Sequence, residues 1–180
     1  MSDQERPKYT GIYTYRDPLG RFLFRYPREW HKFDLADDRD GVLYSPFAQD
    51  PETWFSAWAT RLPDAVTAAD IDVLREGVNE GLSQFDELHV EYESEGLVGN
   101  ICRFKRIYTF RDGAVVRKRQ VWMIYVYEWL FVLMAQGASV SEYEHWRMML
   151  QDCLDSFDLA DALLFASDGE LMNQQKESAS

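Results

Sequence analysis

The residues of this chain whose types and spacing could do chemistry fall into four groups. The first is a carboxylate-rich loop, Asp34, Asp37, Asp38, Asp40 and Gly41, of the sort hard cations prefer, which makes Asp37, Asp38 and Asp40 the candidate metal ligands. The loop lacks the full D-x-[DN]-x-[DN]-G pattern and its distal Glu, and clustered aspartates also mark an ordinary solvated turn. In the second group Glu91, Glu93 and Glu95 alternate and share one face of a strand, whereas catalytic carboxylate pairs oppose each other across a cleft. Arg103, Lys105, Arg106, Arg117, Lys118 and Arg119 form the third group, a concentration of positive charge in an acidic chain. Cross-strand pairing with the glutamates is its expected use, and an anion or partner site is the alternative. The fourth is aromatic: Trp54 and Trp58 point to one face of a presumed strand. As a core pair they only pack; exposed beside Trp30 and Tyr44 they form a patch suited to a protein partner or a flat ligand.

Catalytic motifs are missing from the sequence. There is no G-x-S-x-G elbow and no glycine-rich phosphate loop. Cys102 and Cys153 show no CxxC spacing and lie in apolar-patterned segments, so buried free thiols are expected. His31, His89 and His145 show no metal-ligand spacing. No cofactor is expected, and a small-ligand carrier or hydrolase requires a pocket between sheet and helix, with His31, Asp34 and Tyr44 as its polar groups.

The elements that must position these residues are legible from period and punctuation. Residues 12–16 and 22–26 alternate around Asp17-Pro18-Leu19-Gly20, a turn with Pro second and Gly fourth. Pro27 supplies no ladder N–H, so the second strand stops or bends there and Trp30 folds back over the sheet. An extended stretch to Leu35 and strands over 42–45 and 54–60 follow. Thr67 with Asp70 forms a capping box, and Ile71, Leu74, Val78, Leu82 and Phe85 predict a helix over 68–84, with Gly77 and Gly81 letting a neighbouring backbone approach. Strands over 88–94, 101–110 and 115–127 come next, the last two joined at Asp112-Gly113. Polar alternation fades from Val121 onward, as in central strands covered on both faces, and a further strand spans 131–135. Ser141 and Glu144 suggest a second capping box, and Tyr143, Trp146, Leu150, Cys153, Leu154 and Phe157 mark the buried stripe of a last helix.

Composition excludes whole classes of function. With 180 residues, 46% hydrophobic and 15% aromatic, the chain has material for one substantial core. The domain expectation is a flexible lead-in over 1–10, a single domain over 11–160 and a tail over 161–180. In that tail the apolar triplet Leu163, Leu164 and Phe165 docks while 173–180 are disordered. A net charge of −12 repels the phosphate backbone, so nucleic acid is not an expected partner. The longest apolar run, residues 129–135, is too short to span a bilayer, and no positively charged start precedes an apolar run, so a cytoplasmic protein without membrane insertion is expected.

The order of hairpin, Tyr-Pro-x-x-Trp at residues 26–30, meander, helix, long antiparallel hairpin, apolar strand and closing helix ending in Ser156-Phe157 resembles the PsbP/Mog-type superfamily. Gly20, residues 22–30, the apolar region 121–135 and residues 143–157 carry that resemblance. It implies an α+β fold, an α/β/α sandwich around a central, mainly antiparallel sheet, and members that are typically non-enzymatic. The expected function is therefore a non-catalytic binding or scaffold protein with a protein partner or a homo-oligomer, a small ligand being the other option. Trp30, Tyr44, Trp54, Trp58 and the six cations from Arg103 to Arg119 are its candidate contact residues.

Overall fold

The computed structural model describes residues 6–167. The expected disorder of 173–180 and the first five residues of the lead-in lie outside them. Strands β1 (Ile12–Arg16) and β2 (Phe22–Pro27) form the first hairpin, with Tyr13 opposite Tyr26 and Tyr15 opposite Phe24. Its turn closes through a 2.8 Å bond from the Gly20 N–H to the Asp17 carbonyl, with Gly20 at φ +69°, a conformation that costs glycine little. β2 ends at Pro27, and Trp30 is buried with its ring edge-on to Trp146, centroids 6.1 Å apart.

β3 (His31–Phe33), β4 (Asp40–Ser45) and β5 (Trp54–Arg61) continue the chain. The Thr67–Asp70 capping box forms as expected, but its first turn is a 3₁₀ turn, Ala68–Asp70, and the α-helix α1 spans Ile71–Ser83. β6 (Asp86–Val98), β7 (Ile101–Asp112), β8 (Val115–Val126) and β9 (Trp129–Gly137) build the meander. Both of its first two turns have two residues, with Gly99 and Gly113 each at φ +60°, the left-handed first position of a type II′ hairpin. The second turn is thus Gly113–Ala114, one residue later than expected.

α2 spans Val140–Asp155 and is capped by Ser139, whose hydroxyl accepts the Glu142 N–H at 3.1 Å. The expected Ser141–Glu144 box is therefore displaced by two residues. The physical cause is the tight approach at Gly137, where a Cβ would lie 2.3 Å from the Tyr143 nitrogen, so that the chain turns into the helix directly after the strand. The close approach expected at Gly77 and Gly81 is corrected as well: nothing lies within 4 Å of a Cβ at either. β10 (Asp158–Leu159) pairs with β2, residues 161–167 are helical, and Leu163 and Leu164 pack on the core while Phe165 is exposed.

The main sheet is antiparallel throughout, in the order β3-β4-β5-β9-β8-β7-β6, and a small sheet runs β1-β2-β10. Alternation along β9 divides the core. Phe131, Leu133 and Ala135 join Phe24, Phe55, Leu150 and Leu154 beneath α2 and the small sheet, while Val132 joins Val78, Leu82, Phe104 and Tyr108 beneath α1. Each such large side chain contributes roughly 1.5–3 kcal/mol by leaving water. The protein is an α+β, α/β/α sandwich.

Arg21 ties the layers together. Its buried guanidinium meets Asp17 at 2.7 Å and Asp40 at 2.7 Å and lies 4.9 Å from the Trp129 ring centroid, while its carbonyl accepts the Ala160 N–H. Burial pushes the Asp17 carboxyl up, but hydrogen bonds from the Arg21 side chain and backbone outweigh it and hold Asp17 below the usual carboxylate range. A carboxyl depressed in the folded state adds stability above its unfolded value, about 3.9, which is lost as pH falls through the folded value.

Two expected outcomes test this architecture. Asp17→Asn lowers stability by roughly 3 kcal/mol at neutral pH, through loss of one partner of a buried pair, and flattens the acid-side fall, read by urea denaturation across pH. Gly77→Ala, in an open helix interior, gains about 0.5–1 kcal/mol, whereas Gly137→Ala loses at least about 2 kcal/mol to steric conflict in the same assay.

Candidate functional site

Strand parity decides where the six meander cations go. Arg106, Arg117 and Arg119 alternate onto the α1 face. Arg106 is buried, accepted by the Ser94 and Lys105 carbonyls at 3.1 and 2.9 Å, and faces Glu93 and Glu95 at 3.7 and 3.8 Å. Arg117 pairs with Asp112 at 2.7 Å and Glu52 at 2.9 Å. Arg119 donates to the Gln136 side chain and sits against the rings of Phe110, Phe85 and Trp54. On the opposite face Lys118 bridges Glu91 and Glu144, both at 2.8 Å; burial works against its charge, but the two carboxylates outweigh it and raise its pKa.

Arg103 and Lys105 differ from the rest. Among the described residues neither has a carboxylate or hydrogen-bond partner, and Lys105 Nζ lies 3.8 Å from the Trp122 ring centroid. The pairing Lys105↔Trp122 and Arg103↔Ile124 puts both cations on the α2 face, near the sheet edge where α2 no longer covers it. There they line an open cleft of about 310 Å³. Its other wall comes from the end of α2 and the segment beyond: Asp155, Phe157, Asp158 and Leu164. The Trp122 indole N–H is buried without an acceptor among the described residues. This set offers opposed charges across an aromatic floor, a surface for ionic and stacking contact.

The aromatic candidates do not form one patch. Trp30 is buried against Trp146 of α2, and Tyr44 is buried beneath the hairpin, where Tyr26 stacks on it at 3.9 Å. Trp54 and Trp58 are half-buried on the opposite, α1 face, where Arg119 and Arg39 lie over their rings at 5.6 and 5.0 Å. His31 stands opposite Ser45 and Tyr44 opposite Lys32, so His31 and Tyr44 point to different faces and do not converge.

The carboxylate loop also disperses. Asp40 turns to Arg21, and Asp37 lies 3.7 Å from Arg39. Asp37 and Asp38 both take left-handed backbone conformations, φ 61° and 51°, that aspartate tolerates in turns. Among the described residues no three His, Cys, Asp or Glu side chains gather as a metal site. The cleft's second wall was missed in the sequence because it is brought in by β10, whose two residues carry no readable period.

The fold is of the PsbP/Mog type. It resembles cyanobacterial PsbP (CyanoP) from Synechocystis sp. PCC 6803 with a TM-score of 0.62 at 15% identity, over 85% of this chain and 95% of that one. LpqN, involved in cell envelope biogenesis of Mycobacterium tuberculosis, matches at 0.58 and 10% identity, over 83% and 91%. The Saccharomyces cerevisiae Ran-binding protein Mog1p matches at 0.52 and 10% identity, over 85% and 98%. No protein-family model and no curated protein sequence matches the chain. No helix among the described residues is long and apolar enough to cross a membrane.

Both cysteines are free and fully buried. Burial pushes the Cys102 thiol up to about 11 and raises Cys153 further, so neither is a thiolate near neutral pH. The native protein is expected to give no reaction with Ellman's reagent at pH 8 and two thiols per chain in guanidinium; a fast native thiol would show that one of these sites opens.

Proposed function

We propose that the protein is a non-catalytic binding module whose cleft receives an extended segment of a partner protein. One observation carries the reading: of the six meander cations, only Arg103 and Lys105 lack a carboxylate or hydrogen-bond partner among the described residues, and both line the cleft beside Trp122. Arg and Trp are the residue types that most often dominate interface energies, and a charge desolvated against a complementary one fixes register. Asp155 and Asp158 on the facing wall favour a segment that carries both signs of charge. Mog1p, which shares the fold, is itself a Ran-binding protein, and that is consistent with such a role for this architecture.

A small zwitterionic ligand is the second reading, favoured by the buried Trp122 N–H, which has no acceptor among the described residues. Such a donor gains most when a ligand oxygen accepts it.

Native mass spectrometry with light scattering, on protein purified gently from its own host, separates the two readings. The expected result is a stoichiometric protein partner on the wild type that the Arg103→Glu/Lys105→Glu variant loses, with thermal stability little changed because Arg103 is exposed and Lys105 partly so. A monomer carrying a small mass that the variant loses establishes the ligand reading. A partner retained equally by both proteins removes the cleft from the account.

A further inference from the structure

Charge is segregated along this chain in a way the cleft does not use. Residues 6–32 hold seven Lys and Arg against two Asp and Glu, a net of +5, so the remaining residues carry −17 of the total of −12. Arg21 is consumed internally by Asp17 and Asp40. Arg16, Arg25, Arg28 and Lys32 are exposed, and among the described residues none has a carboxylate partner.

These cations stand on an aromatic footing. The Arg28 guanidinium lies 5.8 Å from the Tyr13 ring centroid and Lys32 Nζ lies 5.9 Å from that of Tyr15. Tyr13 packs edge-on to Tyr26, and Tyr15 edge-on to Tyr44, so the row is anchored on the core. Tyr13 remains 49% exposed. On the other side of the hairpin Thr14 pairs with Arg25 and Arg16 with Leu23, which places Arg16 and Arg25 on one outward face. β1 is also an edge strand among the described residues, so alternate backbone N–H and C=O groups along it have no sheet partner there.

We propose that the β1 edge of the hairpin is a docking surface for an acidic, extended segment of a partner protein. The cations supply charge complementarity, the tyrosines a rigid apolar bed, and the strand edge the backbone hydrogen bonds of strand addition. Charge also selects among occupants. A polyanion such as nucleic acid, or an anionic membrane, extends beyond the hairpin and meets the repulsion of the −17 remainder. A second copy brings the same net −12 toward this one. A short acidic segment reaches only the hairpin and escapes both penalties.

The test is titration of the ¹⁵N-labelled full chain with a fluorescein-labelled peptide of alternating Glu and Ser, read by amide shifts and by anisotropy. Single-stranded oligothymidylate and phosphatidylserine vesicles serve as comparators. The expected result is shifts confined to β1, Arg28 and Lys32, affinity that weakens with added salt, and at least about a tenfold loss in Arg28→Glu/Lys32→Glu. Arg103→Glu/Lys105→Glu should bind the peptide as the wild type does, which keeps this surface separate from the cleft. No binding at low salt, shifts centred elsewhere, or tighter binding of oligothymidylate or vesicles would overturn the proposal.

Discussion

The buried guanidinium of Arg21 is the interaction on which the rest of this structure depends. Alone in a protein interior it would cost several kcal/mol, so its partners must be in place whenever the chain is folded. Asp17 is delivered by the first turn and Asp40 by the start of β4; the Trp129 ring comes from β9, and the Ala160 N–H from the segment after α2. Four parts of the chain thereby meet at one residue, three at its side chain and one at its carbonyl. The hairpin cannot leave the central sheet without exposing a charge pair, and the C-terminal segment that walls the cleft is hung from the same residue's carbonyl.

That convergence also explains what the sequence concealed. The carboxylates at Asp37, Asp38 and Asp40 have the composition of a cation loop, and Asp40 does hold a cation, but the cation is Arg21. Spacing along a chain reports neighbours within an element and says nothing of a partner delivered by another sheet. Strand alternation, by contrast, is a local property, so the first hairpin, β5, β7 and β8 were readable in place, as was the Thr67–Asp70 box. Helix entry at α2 was misplaced by two residues because two Ser-x-x-Glu patterns overlap there; the contact of Gly137 with the Tyr143 backbone chooses between them. The same contact shows why Gly77 and Gly81 misled. A glycine pair on a helix suggests close packing, but the backbone comes close at Gly41 and Gly137, on strands.

The candidate site was half legible. Parity assigns Arg103 and Lys105 to one face and Arg106, Arg117 and Arg119 to the other without any structure. Which face stays open depends on where α2 stops and what β10 brings beside it, and neither follows from the meander itself. The aromatic residues show the same limit. Tyr44 and Trp54 look alike in composition, yet the register of β4 with β5 sends Tyr44 beneath the hairpin and Trp54 to the α1 face.

The position of β9 constrains where any function can sit. Covered on one face by α2 and the small sheet and on the other by side chains packed under α1, it fills the centre with apolar side chains, Phe131, Leu133 and Ala135 on one side and Val132 on the other. Open surface therefore lies at the margins: the far end of β7 and β8, where α2 gives out, and the hairpin edge at β1. The two margins differ in charge. At the first, cations on the strands face carboxylates on the helix end; at the second, Arg16, Arg25, Arg28 and Lys32 have no carboxylate partner among the described residues. A partner that touched both would need a mixed surface for one and an acidic one for the other, so the two margins select different chemistry even though one buried arginine holds both in place.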